Sequence, residues 1–304
     1  MMLRTLSPIL LTTLLALSLH TCSDPISPED EETQDSGPYL VESDPSLSLD
    51  RQWVYMFAED TIAGTRTGVY RARVNDPSRQ AVTVEAHIAQ PSASPDNRYI
   101  AGLDSAGILL CDTEADSCTR VLLYDGFSSV AFVNESLLVV VDSFTSYDAG
   151  VVRLLNLSQG TIGRLATGYD ASGWSQDTIV YVTPRSGQAQ AVVRTDISGV
   201  NHDTLFVVTN LGTPGWLQSP SLSPDGRYVA FVHVALGSRA VKIGEIVAAG
   251  VPYRAPTFID TTSGSQVLMA DDNLLLFPGP DGRLYQSDTA GGSIRPWWAA
   301  ANSD

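Results

Sequence analysis

Lysine is almost absent from this chain of 304 residues. Lys242 is the only one, so Arg supplies the other 17 of the 18 basic side chains, against 34 Asp and Glu and a formal net charge of −16. Attraction to nucleic-acid phosphates and to anionic membrane surfaces requires clustered Lys or Arg. The composition therefore excludes nucleic acid as an expected partner. We interpret the acidic excess as a source of solubility, with adaptation to high salt as the alternative.

Patterns that would indicate catalysis or metal binding are also scarce. After the N-terminal segment the chain has three His (His87, His202 and His233), and no two of them stand at metal-ligand spacing. There is no Gly-x-Ser-x-Gly sequence and no Gly-rich phosphate-binding loop. We therefore predict no catalytic, cofactor-binding or metal site, and we expect a protein that is not an enzyme.

The N-terminus reads as a targeting signal. Residues 1–21 carry one early base, Arg4, and then a short apolar run, which is typical of a signal peptide and too short for an ordinary spanning helix. Leu19-His20-Thr21-Cys22 resembles a bacterial lipobox, which implies cleavage before Cys22 and lipidation of that residue. Ser23 is similar to the residue that directs lipoproteins to the outer membrane. The alternative is an ordinary secreted protein in which Cys22 has no special role.

An acidic segment follows this signal. Residues 23–38 contain six acids, three Pro, no base and one apolar side chain. Such a composition cannot bury enough apolar surface to offset the entropy of ordering. We predict a disordered tether over 22–38, which would hold the following domain, over 39–300, away from a lipid anchor in the cell envelope. Residues 301–304 are expected to be a tail.

Short apolar runs that follow polar turns recur along the rest of the chain, with no convincing helical period. The clearest copies are Ser-Pro-Ser-Leu-Ser-Pro-Asp-Gly-Arg-Tyr-Val-Ala-Phe-Val at 219–232 and a related stretch at 91–103. Their spacing of 38 to 49 residues is that of a propeller with four-stranded blades. The sequence predicts an all-β fold, a six-bladed β-propeller with four antiparallel strands per blade. Its blade turns are placed at Asp50, Asp96, Asn134, Gln176, Asp225 and Asp271.

The Ser-Pro-Asp-Gly-Arg-Tyr-Val-Ala-Phe-Val unit is similar to the WD40-like blades of the TolB-type six-bladed β-propellers. The resemblance covers roughly residues 44–298, with two well-matched units and four degenerate ones. It implies that Asp96 and Asp225 form turns by accepting hydrogen bonds from nearby backbone N–H groups. Ring closure is left open: residues 39–42 could add a strand to the last blade, or each blade could be contiguous in sequence.

Two Cys flank a predicted hairpin turn, Cys111 and Cys118. In an oxidising envelope this spacing favours a disulfide that closes a small loop; two buried free thiols are the alternative. A redox role is not expected, because the spacing is not Cys-x-x-Cys. The pairing would leave Cys22 alone, as lipidation requires.

The segment from Asp142 to Asp148, with Tyr147, follows a strongly apolar strand and could be a binding loop or a plain turn.

Two functional hypotheses remain. The first is a monomeric, non-catalytic envelope lipoprotein whose propeller binds a protein or peptide and whose lipid anchors it to the membrane. The second is a small-molecule or carbohydrate site in the channel, which could belong to a hydrolase or lyase. Three or more converging carboxylates or His would favour the second hypothesis, and a channel of Ser, Thr and apolar residues the first.

Overall fold

A computed structural model of the chain describes residues 40–60, 67–83, 88–115, 117–124, 126–142, 150–184, 186–187, 189–209, 211, 215–246, 256–262 and 264–297. The predicted signal peptide, tether with Cys22 and C-terminal tail lie outside the described residues and stay predictions. All the elements in the described part are β-strands, so no helix there is long and apolar enough to cross a bilayer.

The first three blades are antiparallel sheets of four strands, each contiguous in sequence. Blade 1 consists of β1 (Leu40–Leu47), β2 (Trp53–Asp60), β3 (Thr67–Arg73) and β4 (Asp76–Thr83). Blade 2 consists of β5 (Ala89–Ala93), β6 (Tyr99–Asp104), β7 (Gly107–Asp112) and β8 (Ser117–Leu123). Blade 3 consists of β9 (Phe127–Asn134), β10 (Leu137–Asp142), β11 (Val151–Asn156) and β12 (Thr161–Thr167).

The last three blades repeat this order. Blade 4 consists of β13 (Tyr169–Ser175), β14 (Thr178–Val182), β15 (Gln190–Asp196) and β16 (His202–Val208). Blade 5 consists of β17 (Gly215–Leu222), β18 (Tyr228–Ala235), β19 (Ser238–Glu245) and β20 (Thr257–Thr261). Blade 6 consists of β21 (Leu268–Asp271), β22 (Leu274–Pro278), β23 (Leu284–Ser287) and β24 (Arg295–Pro296). The predicted six-bladed propeller with four-stranded blades is confirmed.

Consecutive blades touch through their innermost strands, and blade 6 returns to blade 1, so the six inner strands form a ring. Among the described strands none is exchanged between the first and last blades, because β1 pairs with β2 of its own blade. Closure instead depends on an apolar cluster in which Trp297, Leu276 and Leu284 of blade 6 join Met56 and Tyr70 of blade 1. The contiguous alternative for ring closure is therefore correct.

The core consists of apolar clusters between neighbouring blades. Strands of alternating or continuous apolar residues present both of their faces to adjacent sheets, which is why the second strands of the blades are nearly all buried. Phe231, at 0% exposure, lies beside Phe206 at the junction of blades 4 and 5, with ring centroids 5.9 Å apart. Since every sheet needs neighbours on both sides, the blades stabilise one another.

Three of the six turns between first and second strands share one hydrogen-bonding pattern, produced by the sequence Ser-x-Asp-x-x-aromatic. In the blade 5 copy, the Ser223 hydroxyl donates to Asp225 (2.7 Å), and Asp225 Oδ1 accepts from the N–H of Arg227 (2.9 Å). Ser223 Oγ also accepts from the N–H of Tyr228 (2.9 Å). The same contacts recur at Ser48, Asp50 and Trp53 and at Ser94, Asp96 and Tyr99. These carboxylates therefore have the role that the resemblance implied for Asp96 and Asp225.

The other three turns are tighter. Asn134 ends β9, where its Oδ1 accepts from the N–H of Ser136 (2.9 Å), and Gln176 lies in the turn after β13. Asp271 is the last residue of β21, so the turn itself begins at Asp272. The Asn134 side chain also donates to Asp177 of the next blade (2.7 Å), which joins neighbouring turns.

Cys111 and Cys118 form the predicted disulfide. They stand directly opposite one another in β7 and β8, across the hairpin that joins those strands. Cys111 is buried between blades 1 and 2. The bridge therefore ties the outermost strand of blade 2 to its buried neighbour.

Candidate functional site

The inner strands of all six blades line a central channel that contains a cavity of about 100 Å³. A buried water needs about 10 to 15 Å³ of such a volume, so the cavity has room for a small cluster of waters or one narrow chemical group. Sites for drug-sized molecules and sugars occupy about 300 to 1,000 Å³. This cavity is therefore smaller than a site for a drug-sized molecule or a sugar.

A β-bulge repeats at the same height in four of the inner strands. Its first residue is Asp44, Gln90, Asp170 or Ser219, and each has a positive φ, between 45° and 53°. Residues other than Gly adopt this conformation only at a cost of about 1 kcal/mol or more. Bulges re-aim side chains and are frequent beside functional sites. Here they place the side chains of Asp44, Gln90, Asp170 and Ser219 around the channel. We call these four residues, together with Gln266 of blade 6, the polar ring.

Three of the bulges continue into Pro-Ser. Pro45, Pro91 and Pro220 occupy the second bulge position of blades 1, 2 and 5. Inner strands are edge strands, whose backbone N–H groups on the channel side have no partner strand. Proline removes that donor, which is why it is tolerated there.

Asp44 and Asp170 are the two carboxylates of the polar ring, and they lie on opposite blades, 1 and 4. Burial raises the pKa of Asp170 to about 7, although its carboxylate accepts a hydrogen bond from the backbone N–H of Ser219. Burial also raises the pKa of Asp44, whose Oδ2 accepts from the N–H of Gln90 at 3.4 Å. In both cases the low-polarity surroundings disfavour the charged form more than one hydrogen bond supports it.

Side-chain hydrogen bonds link three pairs of neighbouring inner strands, those of blades 1 and 2, 4 and 5, and 5 and 6. The Ser46 hydroxyl donates to the carbonyl of Pro91, and the Ser172 hydroxyl donates to that of Pro220 (3.1 Å). The Ser219 hydroxyl donates to Gln266 Oε1 (2.7 Å). These bonds fix the diameter of the channel at the level of the ring.

The channel is narrowed at its turn end by Arg51. This residue has a φ of 59° and extends from blade 1 to blade 4, where Nη2 donates to the carbonyl of Trp174 (3.2 Å). Burial lowers the pKa of Arg51, while the carboxylates of Asp272 and Asp271 act in the opposite direction. Its other terminal nitrogen, Nη1, is buried and has no hydrogen-bond partner in the described part of the chain.

A second cavity, of about 440 Å³, lies on the turn side, and residues of the turns of blades 1 to 4 line it, among them Glu135 and Gln176. Leu49 lines both cavities. Leu49 and Arg51 therefore form the constriction between the channel and the turn-side cavity.

Of the predicted loop candidates, the described residue Asp142 does not line this site. Asp142 ends β10, where Arg153 Nε donates to its Oδ2 (2.6 Å), so its carboxylate is paired across the sheet. Tyr147 and Asp148 lie outside the described residues, as does His87. His233 lies between Lys242 Nζ (2.9 Å) and the carbonyl of Leu211 (3.0 Å) on blade 5.

Comparisons with solved structures identify the fold. TolB from Acinetobacter baumannii superposes with a TM-score of 0.58 at 18% identity, over 75% of this chain and 58% of that one. A putative TolB from Agrobacterium tumefaciens gives 0.53 at 14% identity, over 84% and 91% of the two chains. The fold is that of the TolB-type six-bladed β-propellers. No protein-family model and no curated protein sequence matches this chain.

The TolB-type fold also occurs in enzymes. An oligogalacturonate lyase in complex with manganese superposes with a TM-score of 0.51 at 12% identity, over 87% of this chain and 81% of that one. At such identities the likeness concerns the fold alone. In this TolB-like propeller, no group of three or more His, Cys, Asp or Glu is placed to hold a metal ion within the described ranges.

Sequence reasoning missed the polar ring, although a signal for it was present. The stretch Pro-Ser-x-Ser-x-Asp-x-x-aromatic occurs at 45–53, 91–99 and 220–228. The Asp of this stretch marks the turn, and the residue immediately before its Pro belongs to the polar ring. In blade 4 only Ser172 of this pattern survives, so Asp170 could be found only by counting six residues back from the predicted turn at Gln176.

Proposed function

We propose that this TolB-like propeller is a non-catalytic binding module of the cell envelope, anchored by a lipid on Cys22, that takes a narrow group of a protein or peptide partner into its channel. The observation that carries this proposal is the cavity of about 100 Å³, which admits one side chain or chain end and no sugar oligomer. The rest of such a partner must then lie on a face of the propeller.

The lining of the channel supports the same function. It consists mainly of Ser, Pro and apolar residues, with two carboxylates, which lie on opposite blades. A ring of side chains already bonded to their neighbours is suited to holding a group rather than to transferring protons.

A crosslinking experiment tests the partner proposal. A photo-crosslinking amino acid is introduced at Ala89, which is exposed at the start of inner strand β5, beside Gln90 of the polar ring. The matched control is Ala81, an exposed alanine of the outer strand β4. We expect irradiated cells to give a discrete protein adduct from Ala89 and none from Ala81. Equal labelling at both positions, or a co-purifying sugar or metal without an adduct, would contradict the proposal.

The anchor has its own test. In the Cys22→Ser variant we expect the protein to move from the membrane fraction to the soluble fraction, because no acyl chain can be attached. The wild-type chain should be labelled by an alkyne fatty acid and the variant should not. Unchanged fractionation and the absence of label in both would favour the secreted alternative.

A further inference from the structure

The residues of the polar ring indicate which chemical group the channel binds. We propose that the channel binds a primary ammonium group between blades 1 and 4, with the carboxylates of Asp44 and Asp170 as its acceptors. This rests on the proposed function, because the ammonium group would belong to the partner, as a Lys side chain or as a free N-terminus. Among the described residues, each of these carboxylates accepts one backbone hydrogen bond and keeps further acceptor positions.

The first argument is spare acceptor capacity. A carboxylate offers about four lone-pair positions. Asp44 accepts from the N–H of Gln90 and Asp170 from that of Ser219, one backbone donor each. Meanwhile the hydroxyl hydrogens of Ser46 and Ser172 are committed to backbone carbonyls. The two carboxylates therefore have spare acceptor positions, which match the three N–H donors of an ammonium group.

The second argument is an acceptor that the fold leaves unused. Ser129 lines the same cavity, is 5% exposed, and its Oγ has no hydrogen-bond partner among the described residues. A buried hydroxyl without a partner costs about 1 to 3 kcal/mol. Such a group in a channel wall is explained if a ligand or water satisfies it. It adds a neutral acceptor from blade 3 to the carboxylates of blades 1 and 4.

The third argument is charge. Asp44, Asp170 and Arg51 are the titratable or charged residues that line the cavity. Arg51 lies at the constriction, where it bonds the carbonyl of Trp174, so the polar ring itself has no cation. Burying carboxylates without a counter-charge is unfavourable, and a bound cation would relieve that cost. The polar ring thus attracts a positive group and repels an anionic one.

The kind of cation follows from size and arrangement. Calcium takes six to eight oxygen ligands at 2.3 to 2.6 Å, whereas the polar ring supplies two carboxylates and no group of three or more His, Cys, Asp or Glu is placed to hold a metal ion among the described residues. A guanidinium is broad and planar, but an ammonium is a compact charge on a thin, flexible stem. A cavity of about 100 Å³ therefore suits a primary ammonium group best.

Ligand-observed NMR titration of the full mature chain with n-butylammonium tests this. We expect saturable binding at pH 8, at least tenfold weaker in Asp170→Asn and in Asp44→Asn. Asp203→Asn is the matched control, since Asp203 is 65% exposed and paired with Arg194 on the rim of blade 4, and it should bind as the wild type does. The neutral isostere n-butanol and tetramethylammonium, which has no N–H donor, should bind at least tenfold more weakly than n-butylammonium.

The pH dependence separates a specific site from general attraction to an acidic protein. Because the pKa of Asp170 is about 7, its ionised fraction falls about tenfold between pH 8 and pH 6. Binding of n-butylammonium should weaken by about the same factor in the wild type. The peptides Gly-Gly-Gly-amide and acetyl-Gly-Lys-Gly-amide then distinguish a free N-terminus from a Lys side chain as the source.

Several outcomes would overturn the inference. These are equal binding of n-butylammonium by the wild type and by Asp170→Asn, equal binding of tetramethylammonium, or binding of calcium chloride in preference to the amine. If n-butylammonium does not bind while Ala89 still crosslinks to a partner, the ammonium proposal is refuted and the proposed binding function is retained. If n-butylammonium binds while no adduct forms at Ala89, the ammonium site is supported and the proposal of a protein partner is refuted.

Discussion

Replacing Asp170 by Asn should stabilise this protein at neutral and alkaline pH. The substitution keeps the shape of the side chain and an oxygen that can accept from the N–H of Ser219, but it removes the ionisable group. Burial raises the pKa of Asp170 to about 7 from 3.8. The folded protein therefore holds a proton that the unfolded chain has already released, and its stability falls as the pH rises between those values.

The size of the effect follows from the difference in pKa. Each step of one in pKa corresponds to about 1.4 kcal/mol, so the full penalty is about 4 kcal/mol at pH 8. It is about zero below pH 3.8, where Asp170 is protonated in both states. Water in the channel reduces the penalty, so about 4 kcal/mol is the upper value. The free energy of unfolding of Asp170→Asn minus that of the wild type should rise from near zero at pH 4 to 2 to 4 kcal/mol at pH 8, the upper value being the linkage limit.

The assay is urea unfolding at several pH values between 4 and 8, followed by tryptophan fluorescence and circular dichroism. Asp225→Asn is an informative control with the opposite sign. The Ser223 hydroxyl and then the N–H of Arg227 lower the pKa of Asp225, so its contribution is present above the unfolded pKa and lost as the pH falls. Asp225→Asn should destabilise the protein at pH 7 and have a diminishing effect in acid.

Three results would refute this reasoning. If Asp170→Asn destabilised the protein by the same amount at every pH, its carboxylate would be a structural hydrogen-bonding group with an ordinary pKa. If it destabilised the protein more at pH 8 than at pH 4, the carboxylate would be stabilised by a positive charge in the folded state. A uniform stabilisation at all pH values would indicate relief of packing strain rather than of charge burial.

Two further substitutions test the channel constriction and the ring closure. Arg51→Gly removes the hydrogen bond to Trp174, which destabilises the folded state, and also removes the cost of a positive φ, which stabilises it. Each contribution is about 1 kcal/mol, so this variant should have the stability of the wild type in urea unfolding. Arg51→Ala also lacks the hydrogen bond to Trp174 but retains the cost of the positive φ, so it should be about 1 kcal/mol less stable than Arg51→Gly. If Arg51→Ala were the more stable variant, the strain argument would be contradicted. Trp297→Ala should lower the free energy of unfolding by 3 to 5 kcal/mol, because packing at Trp297 joins blade 6 to blade 1 without an exchanged strand. A loss below about 1 kcal/mol would show that other contacts close the ring.

The expected gain in stability from Asp170→Asn and the proposed loss of binding have the same cause. A carboxylate in a narrow, low-polarity channel is costly while it is alone and valuable when a cation is present. Binding sites commonly retain such unfavourable groups, because optimising stability there removes function. The polar ring shows this in a second way, since four of its residues adopt a costly positive φ.

The sequence alone predicted the blade count, because each turn is encoded locally. Ser223, Asp225 and Tyr228 stand within six residues of one another and satisfy the turn's own backbone groups, so the pattern is visible without knowledge of the fold. The disulfide was predictable for the same reason, since Cys111 and Cys118 flank one hairpin. Local hydrogen bonding at a regular spacing was sufficient for the architecture.

The channel could not be predicted in this way. That Asp44 and Asp170 face the same cavity depends on closing six sheets into a ring, which brings together residues far apart in sequence. Arg51 stands where blade 5 has Gly226, and only the assembled ring shows that its side chain reaches Trp174 across the channel. Local patterns thus determined the turns, the strands and the number of blades. Tertiary packing decided how the ring closes and which polar groups are buried together, because charge burial depends on neighbours that adjacent sequence does not specify.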